Sequence, residues 1–213
     1  MEEFKITKLV RSRTFERTAM NVFIVYAHPS EDSFTRHVRD SFIAGLKAAG
    51  HSYIISDLYA MNFVTDMSEA EYLREANYIG DGRVGSDVKA EHDKINQSDA
   101  IVLIYPVFWT EAPAKLVGWF NRVWTYGFAY GEQRKMKTLD KGLVICVAGH
   151  SLHDLKDFGH LESMKTVMLG DRLFDRVKEK EMIVLDRMSK EKPDRKENWD
   201  KHLQTAFEAG RGI

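Results

Sequence analysis

Five short apolar runs constrain this chain more than any other feature: residues 22–27, 53–56, 100–105, 142–147 and 182–185. They are continuous rather than alternating and rich in Val and Ile, the pattern of strands buried on both faces in a parallel sheet covered by helices. Between them runs a three-to-four-residue apolar rhythm. Phe34, Val38, Phe42, Leu46 and Ala49 predict a helix stopped by Gly50. Ala112, Leu116, Phe120 and Val123 predict another, with Pro113 in its first turn. Leu161, Met164, Met168 and Leu169 predict a helix before the fifth run, and Trp199, Leu203 and Phe207 one after it. The stretch 68–97 holds one or two helices around Gly80, Gly82 and Gly85. This β-α alternation predicts an α/β fold: a three-layer sandwich on a five-stranded parallel sheet with right-handed crossovers.

Composition narrows the function. Lys+Arg (31) balance Asp+Glu (32) over 213 residues, so nothing draws the chain to nucleic acid or to an anionic membrane. Cys146 is the only cysteine and lies within an apolar run, which makes it a core residue with no disulfide partner. No apolar run approaches the roughly 18 residues that span a bilayer. The first twenty residues hold Lys5, Lys8, Arg11, Arg13 and Arg17 but no apolar segment of the secretory kind. The expected location is the cytoplasm, without membrane insertion. Residues 1–19 read as an added arm, and 20–213 as one domain. Ile6, Leu9, Val10 and Phe15 give the arm an apolar edge, expected to pack on the domain or across a two-fold dimer.

In open sheets of this kind, ligands bind beyond the carboxyl ends of the strands. Three loops lie there. The first, His28-Pro29-Ser30-Glu31-Asp32-Ser33-Phe34-Thr35, runs straight into a helix. Unpaired amides at a helix start suit a phosphate, and Ser30, Ser33, Thr35 and His28 add donors. The plainer reading makes Ser33 an ordinary N-cap and His28 a polar loop residue. The loop lacks the glycines of a P-loop or a G-x-G-x-x-G turn. The second loop, Tyr105-Pro106-Val107-Phe108-Trp109-Thr110-Glu111-Ala112-Pro113, sets two large aromatics side by side between prolines. It forms either a stacking wall for a planar heterocycle or a lid on the core. The third loop, Ala148-Gly149-His150-Ser151, has a glycine that permits close backbone approach. Trp124, Tyr126, Phe128 and Tyr130 sit in a segment without helical periodicity and either join the core or line an apolar pocket.

At these residues the chain resembles the NAD(P)H:quinone oxidoreductase family, also called the flavodoxin-2 family. It includes DT-diaphorase, bacterial modulators of drug activity and the ancillary flavoproteins of potassium-efflux systems. The resemblance runs from about Asn21 to about Leu185. It is carried by Tyr26-Ala27-His28-Pro29 with Ser33-Phe34, and by Pro106-Val107-Phe108-Trp109 continuing through Pro113, Lys115, Gly118-Trp119-Phe120 and Arg122-Val123. Phe128-Ala129-Tyr130-Gly131 follows. The resemblance implies a flavodoxin-like fold and a flavin, FMN or alternatively FAD, held by the three loops. His28, Ser33, Phe34 and Thr35 would hold its phosphate. Pro106, Val107, Phe108 and Trp109 would lie along the ribityl chain and ring. Ala148, Gly149 and His150 would meet the ring's polar edge through their backbone. Phe128 and Tyr130 match the part that borders the substrate pocket, often across a homodimer interface.

The implied activity is two-electron, ping-pong transfer of hydride from NAD(P)H through the flavin to a quinone or similar acceptor. Two positions depart from the family pattern. The third loop, usually Thr-Thr-Gly-Gly, is Val147-Ala148-Gly149-His150 here. Of the Tyr/His pair thought to handle protons, His160 falls near the histidine position while Leu155 stands at the tyrosine position. His160 is the first choice for proton work with Tyr130 as its partner on the substrate side, and His150 and His153 are the other candidates. A pure electron carrier fits less well, since a net charge of −1 lacks the acidic surface of such carriers. The third reading is a redox-sensing regulatory subunit, a peripheral partner of a potassium-efflux transporter.

Overall fold

The computed structural model describes residues 19–213, so the arm read over 1–19 lies outside the described residues apart from Ala19. Strands β1 (Asn21–Tyr26), β2 (Ser52–Asp57), β3 (Ala100–Pro106), β4 (Leu139–Val147) and β5 (Val177–Leu185) form one parallel sheet in the order β2-β1-β3-β4-β5. Successive side chains of a strand point to opposite faces, and each face has its own core. Phe23, Val25, Ile101, Leu103, Val144 and Cys146 meet Ile95, Leu116, Trp119 and Phe120 of helices α3 (Ser86–Gln97) and α4 (Ala114–Val123). The alternate residues Val22, Ile24, Val102, Ile104 and Ile145 meet Phe34, Val38, Phe42 and Leu46 of α1 (Phe34–Ala48) and Ala206 of α7 (Arg195–Gly212). Two covered faces explain why the strands carry no polar alternation. The chain passes from β1 out to β2 and then back beyond β1 to β3, which opens a crevice at the carboxyl ends of β1 and β3.

The Lys115 to Arg122 part of the family-like pattern braces the fold. α2 (Glu69–Ala76) is preceded by a long connection that descends along α4. Gly118 backs directly onto Thr65 of that connection, and Lys115 Nζ donates to the Phe63 carbonyl (2.7 Å). Arg122 donates to the Val64 carbonyl (2.8 Å), Glu71 (2.6 Å) and Asp87 (2.5 Å). Trp119 is fully buried and donates from Nε1 to Glu91 (2.8 Å), a buried carboxylate also held by Ser56 (3.0 Å) and Lys94 (2.6 Å). A Cβ at residue 118 would strike Thr65, backbone included. Gly118→Ala is therefore expected to destabilise the fold by about 1–3 kcal/mol, the usual cost of overpacking. The effect should appear as a lower urea midpoint with an unchanged m-value; an unmoved midpoint would show that the connection yields freely.

Three elements differ from the sequence reading. β5 begins at Val177, five residues before the apolar run, because its first half, Lys178 to Glu181, is exposed on an edge strand. Charge there costs no burial and blocks pairing with other strands. β4 likewise begins at Leu139. After α5 (Leu152–Asp157) and α6 (His160–Lys165), the expected regular helix continues as an eight-residue π-helical stretch (Thr166–Leu173) and a 3-10 turn (Phe174–Arg176). Among the described residues no helix is long and apolar enough to cross a membrane.

Candidate active site

The first loop enters α1 through a proper cap: Ser33 Oγ accepts from the Arg36 N–H (3.2 Å). Helix geometry leaves the amides of residues 33–35 without an intrahelical acceptor. The first turn of α1 carries no acidic residue, and Glu31 and Asp32 precede its cap. His28 Nδ1 is fixed by Ser30, whose N–H donates to it (2.9 Å), and Nε2 is the ring nitrogen left for a ligand. Burial lowers the His28 pKa, against the hydrogen bond to Ser30 that raises it, and so favours the neutral ring. A cleft of about 330 Å³ beside this loop is lined by His28, Ser30, Arg36, Arg39, Asp57 and Tyr59. Phe34 and Thr35 are themselves buried.

The second loop is a two-residue hairpin turn. Phe108 N–H donates to the Glu111 carbonyl (2.8 Å) and Glu111 N–H to the Phe108 carbonyl (2.9 Å). Trp109 (φ 51°) and Thr110 (φ 67°) are both left-handed. Turns of this kind ordinarily take Asn-Gly, and for side-chain-bearing residues the conformation costs about 1–2 kcal/mol each. It holds Trp109 fully exposed at the carboxyl end of β3, with Phe108 half exposed beside it. Pro106 ends β3 buried against Val147, and Val107 N–H donates to the Val147 carbonyl (2.8 Å), tying the second loop to the third. The loop is a wall rather than a lid on the core. Strain of this sort persists where surrounding structure over-determines it, and it gathers at functional sites.

In the third loop, Ala148 N–H donates to the Leu185 carbonyl (2.9 Å), and the Ala148 and His150 carbonyls accept from Met188 (3.0 Å) and Arg187 (3.1 Å). The amides of Gly149 and His150 have no partner among the described residues and are the donors this loop can offer. A Cβ at residue 149 would meet only the Ser189 side chain, whose hydroxyl would have to rotate away. The histidines spread out. His150 and His153 are exposed, with His153 Nδ1 3.3 Å from Asp157. His160 opens α6, half buried, its ring 5.6 Å from that of Phe158.

Phe128 and Tyr130 follow the end of α4 away from the second loop, a helix of ten residues or about 15 Å. Phe128 is buried and stacked on His92 at 3.5 Å. The Tyr130 hydroxyl donates to Glu75 (2.7 Å), and burial together with that carboxylate pushes its pKa up to about 12. Among the described residues, no hydrogen bond or ring contact joins Tyr130 to His160. The sequence reading missed Glu75, and it missed Arg172, which grips Glu111 of the second loop with two hydrogen bonds (3.0 and 3.3 Å). One Glu of α2 and one Arg that pairs sixty-one positions back with Glu111 carry no periodic signal.

This arrangement can hold a phosphate at a helix start, stack a flat ring on an exposed indole and offer amides to the ring's edge. Among solved structures the chain is similar to an NAD(P)H:quinone oxidoreductase from Methanothermobacter marburgensis, with a TM-score of 0.87 and 44% identity, covering 92% of this chain and 96% of that one. An uncharacterized NAD(P)H oxidoreductase of Haemophilus influenzae is 34% identical over 71% of this chain and 75% of its own length. NAD(P)H dehydrogenase [quinone] 1 of Rattus norvegicus is 35% identical over half of this chain, a match spanning 44% of the rat protein. The fold also matches an FMN-dependent NADH-azoreductase from Bacillus anthracis, solved with FMN, with a TM-score of 0.64 and 18% identity over 89% of this chain and 97% of that one. A family model described as Flavodoxin-like fold (Flavodoxin_2) matches residues 20–206, and the chain belongs to that family.

Proposed function

We propose that this chain is a flavin-dependent NAD(P)H:quinone oxidoreductase, moving two electrons as hydride from NAD(P)H to a quinone-type acceptor in ping-pong order. The observation that carries the reading is the convergence, at the β1–β3 crevice, of free helix-start amides with an exposed tryptophan held on strained backbone. The names of the similar proteins point the same way and give no support to a transporter-regulating role.

When bound, the flavin supplies the hydride chemistry, and the protein supplies orientation and electrostatics. His28 Nε2 and the amides of residues 33–35 hold the phosphate. One helix start offers donors for one phosphate, so FMN is assigned first and FAD second. Pro106, Val107, Phe108 and Trp109 run along the ribityl chain and ring. The N–H groups of Gly149 and His150 would donate to the ring's polar edge, where fixed donors would stabilise negative charge. The acceptor takes the place the nicotinamide leaves, and His160 holds the proton it needs. Phe128 and Tyr130, at the far end of α4, serve the acceptor from the second subunit of a homodimer.

The test is titration of FMN and FAD into apo-protein with tryptophan excitation, followed by NADH and NADPH oxidation with a naphthoquinone. Binding tighter than the high-micromolar range is expected, with mutual quenching of flavin and Trp109 that is lost in Trp109→Phe. If neither flavin binds, the proposal is wrong.

A further inference from the structure

We propose that Arg172 and Glu111 form a latch that holds the Trp109–Thr110 turn in its left-handed conformation, making Arg172 a positioning residue for the candidate site. The use of that position rests on the flavin reading above; the latch itself is a property of the apo-chain.

Trp-Thr is a poor sequence for a turn that needs positive φ at both residues, Thr being β-branched. Two backbone hydrogen bonds close it, and any sequence could make those. The contacts peculiar to this turn come through the next side chain. Glu111 Oε1 accepts from the Ala112 N–H (2.7 Å), so the carboxylate folds back along its own backbone. Arg172 then meets both oxygens, Nη1 to Oε1 and Nη2 to Oε2, in the planar fork only a guanidinium can present.

Arg172 is well anchored. It is mostly buried, its guanidinium lies 5.0 Å over the Phe120 ring, and Nη1 is 3.5 Å from Met168 Sδ. Its carbonyl accepts from Trp124 Nε1 (2.6 Å). The residue belongs to the last turn of the π-helical stretch, a geometry that recurs at functional sites. An exposed ion pair would contribute little. This one differs because its cation is fixed between α4 and the π-helical stretch before it reaches the loop, so the loop alone has freedom to lose.

The experiment labels the protein with 5-fluorotryptophan, whose four ¹⁹F resonances are assigned with Trp109→Phe and its counterparts. In apo wild type, a single sharp Trp109 signal is expected. In Arg172→Met and in Glu111→Gln it should broaden or split while the signal of Trp199, on the other face of the sheet, stays in place. The flavin Kd should rise about tenfold in each, on the scale of one bidentate charged contact. Flavin reduction by NADH at saturating flavin should slow, and Arg172→Lys should restore only part of the loss. The double variant should be no worse than either single one, because the two act as a unit. A Trp109 signal unchanged in Arg172→Met, or four signals that shift together, overturns the latch. If wild type binds no flavin the functional reading fails, while the ¹⁹F result still decides the latch.

Discussion

Arg122→Met is expected to destabilise the fold by about 3–5 kcal/mol, the range for removing one partner from a buried ion pair. Arg122 is buried, its guanidinium 5.4 Å over the Phe63 ring, and it bridges Glu71 of α2 to Asp87 of α3. Methionine keeps much of the volume and removes the charge, leaving two carboxylates facing each other and the Val64 carbonyl without its donor. At about 2–4 °C per kcal/mol for a chain of this size, the melting temperature should fall by roughly 6–20 °C. The pH dependence gives a second readout. Burial raises the Glu71 pKa, but hydrogen bonds from Arg122 and Ser68 outweigh it and the net shift is downward; at Asp87 the hydrogen bond from Arg122 leads and lowers it. Carboxyls held below their unfolded values stabilise the fold above those values, near 4, and the contribution is lost as pH falls through the folded pKa. Wild type should therefore lose stability between about pH 5 and pH 3 more steeply than Arg122→Met. Equal slopes, or a melting temperature within a degree or two of wild type, would contradict the bridge.

His160→Gln is expected to lower turnover about 100-fold, the low end of what a positioned acid–base group contributes, with flavin binding intact. His160 follows a left-handed Gly159, is half buried beside Phe158 and lies at the end of the sheet where the third loop opens. Glutamine preserves polarity and hydrogen-bonding capacity but cannot act as an acid or base, the work an imidazole can do. Stopped-flow measurement separates the two halves of the cycle. Reduction of the enzyme by NADH should change little, reoxidation by quinone should slow, and the histidine limb of the pH profile should vanish. Unaltered turnover and pH profile would move the role to His150, His153 or water. Tyr130 differs: its pKa is pushed up to about 12, so it stays protonated at neutral pH with its one hydroxyl proton committed to Glu75.

Much of this protein was legible in its sequence because the relevant physics is local and periodic. Strands buried on both faces must be apolar throughout, and helices facing them must repeat every three to four residues. Five strands, their all-parallel order and the three carboxyl-end loops follow from those requirements. Ser33 as the cap of α1 and Gly50 as its stop needed only near neighbours. The half of β5 that was missed is exposed on an edge, where nothing demands an apolar side chain. The Lys115–Arg122 motif was visible as a pattern, yet only packing revealed that it serves the connection before α2 rather than a ligand.

Tertiary structure alone decided the rest. Whether Phe108 and Trp109 cover the core or stand in solvent depends on two φ angles that the residues themselves disfavour. Those angles are held through Glu111 by Arg172, sixty-one positions beyond that glutamate. The Tyr130 hydroxyl is held by Glu75, a contact across 55 positions that no local pattern encodes. Periodicity records which face of an element is buried. A long-range polar contact uses one side chain from each of two elements, repeats nowhere along the chain, and exists only once the layers have closed.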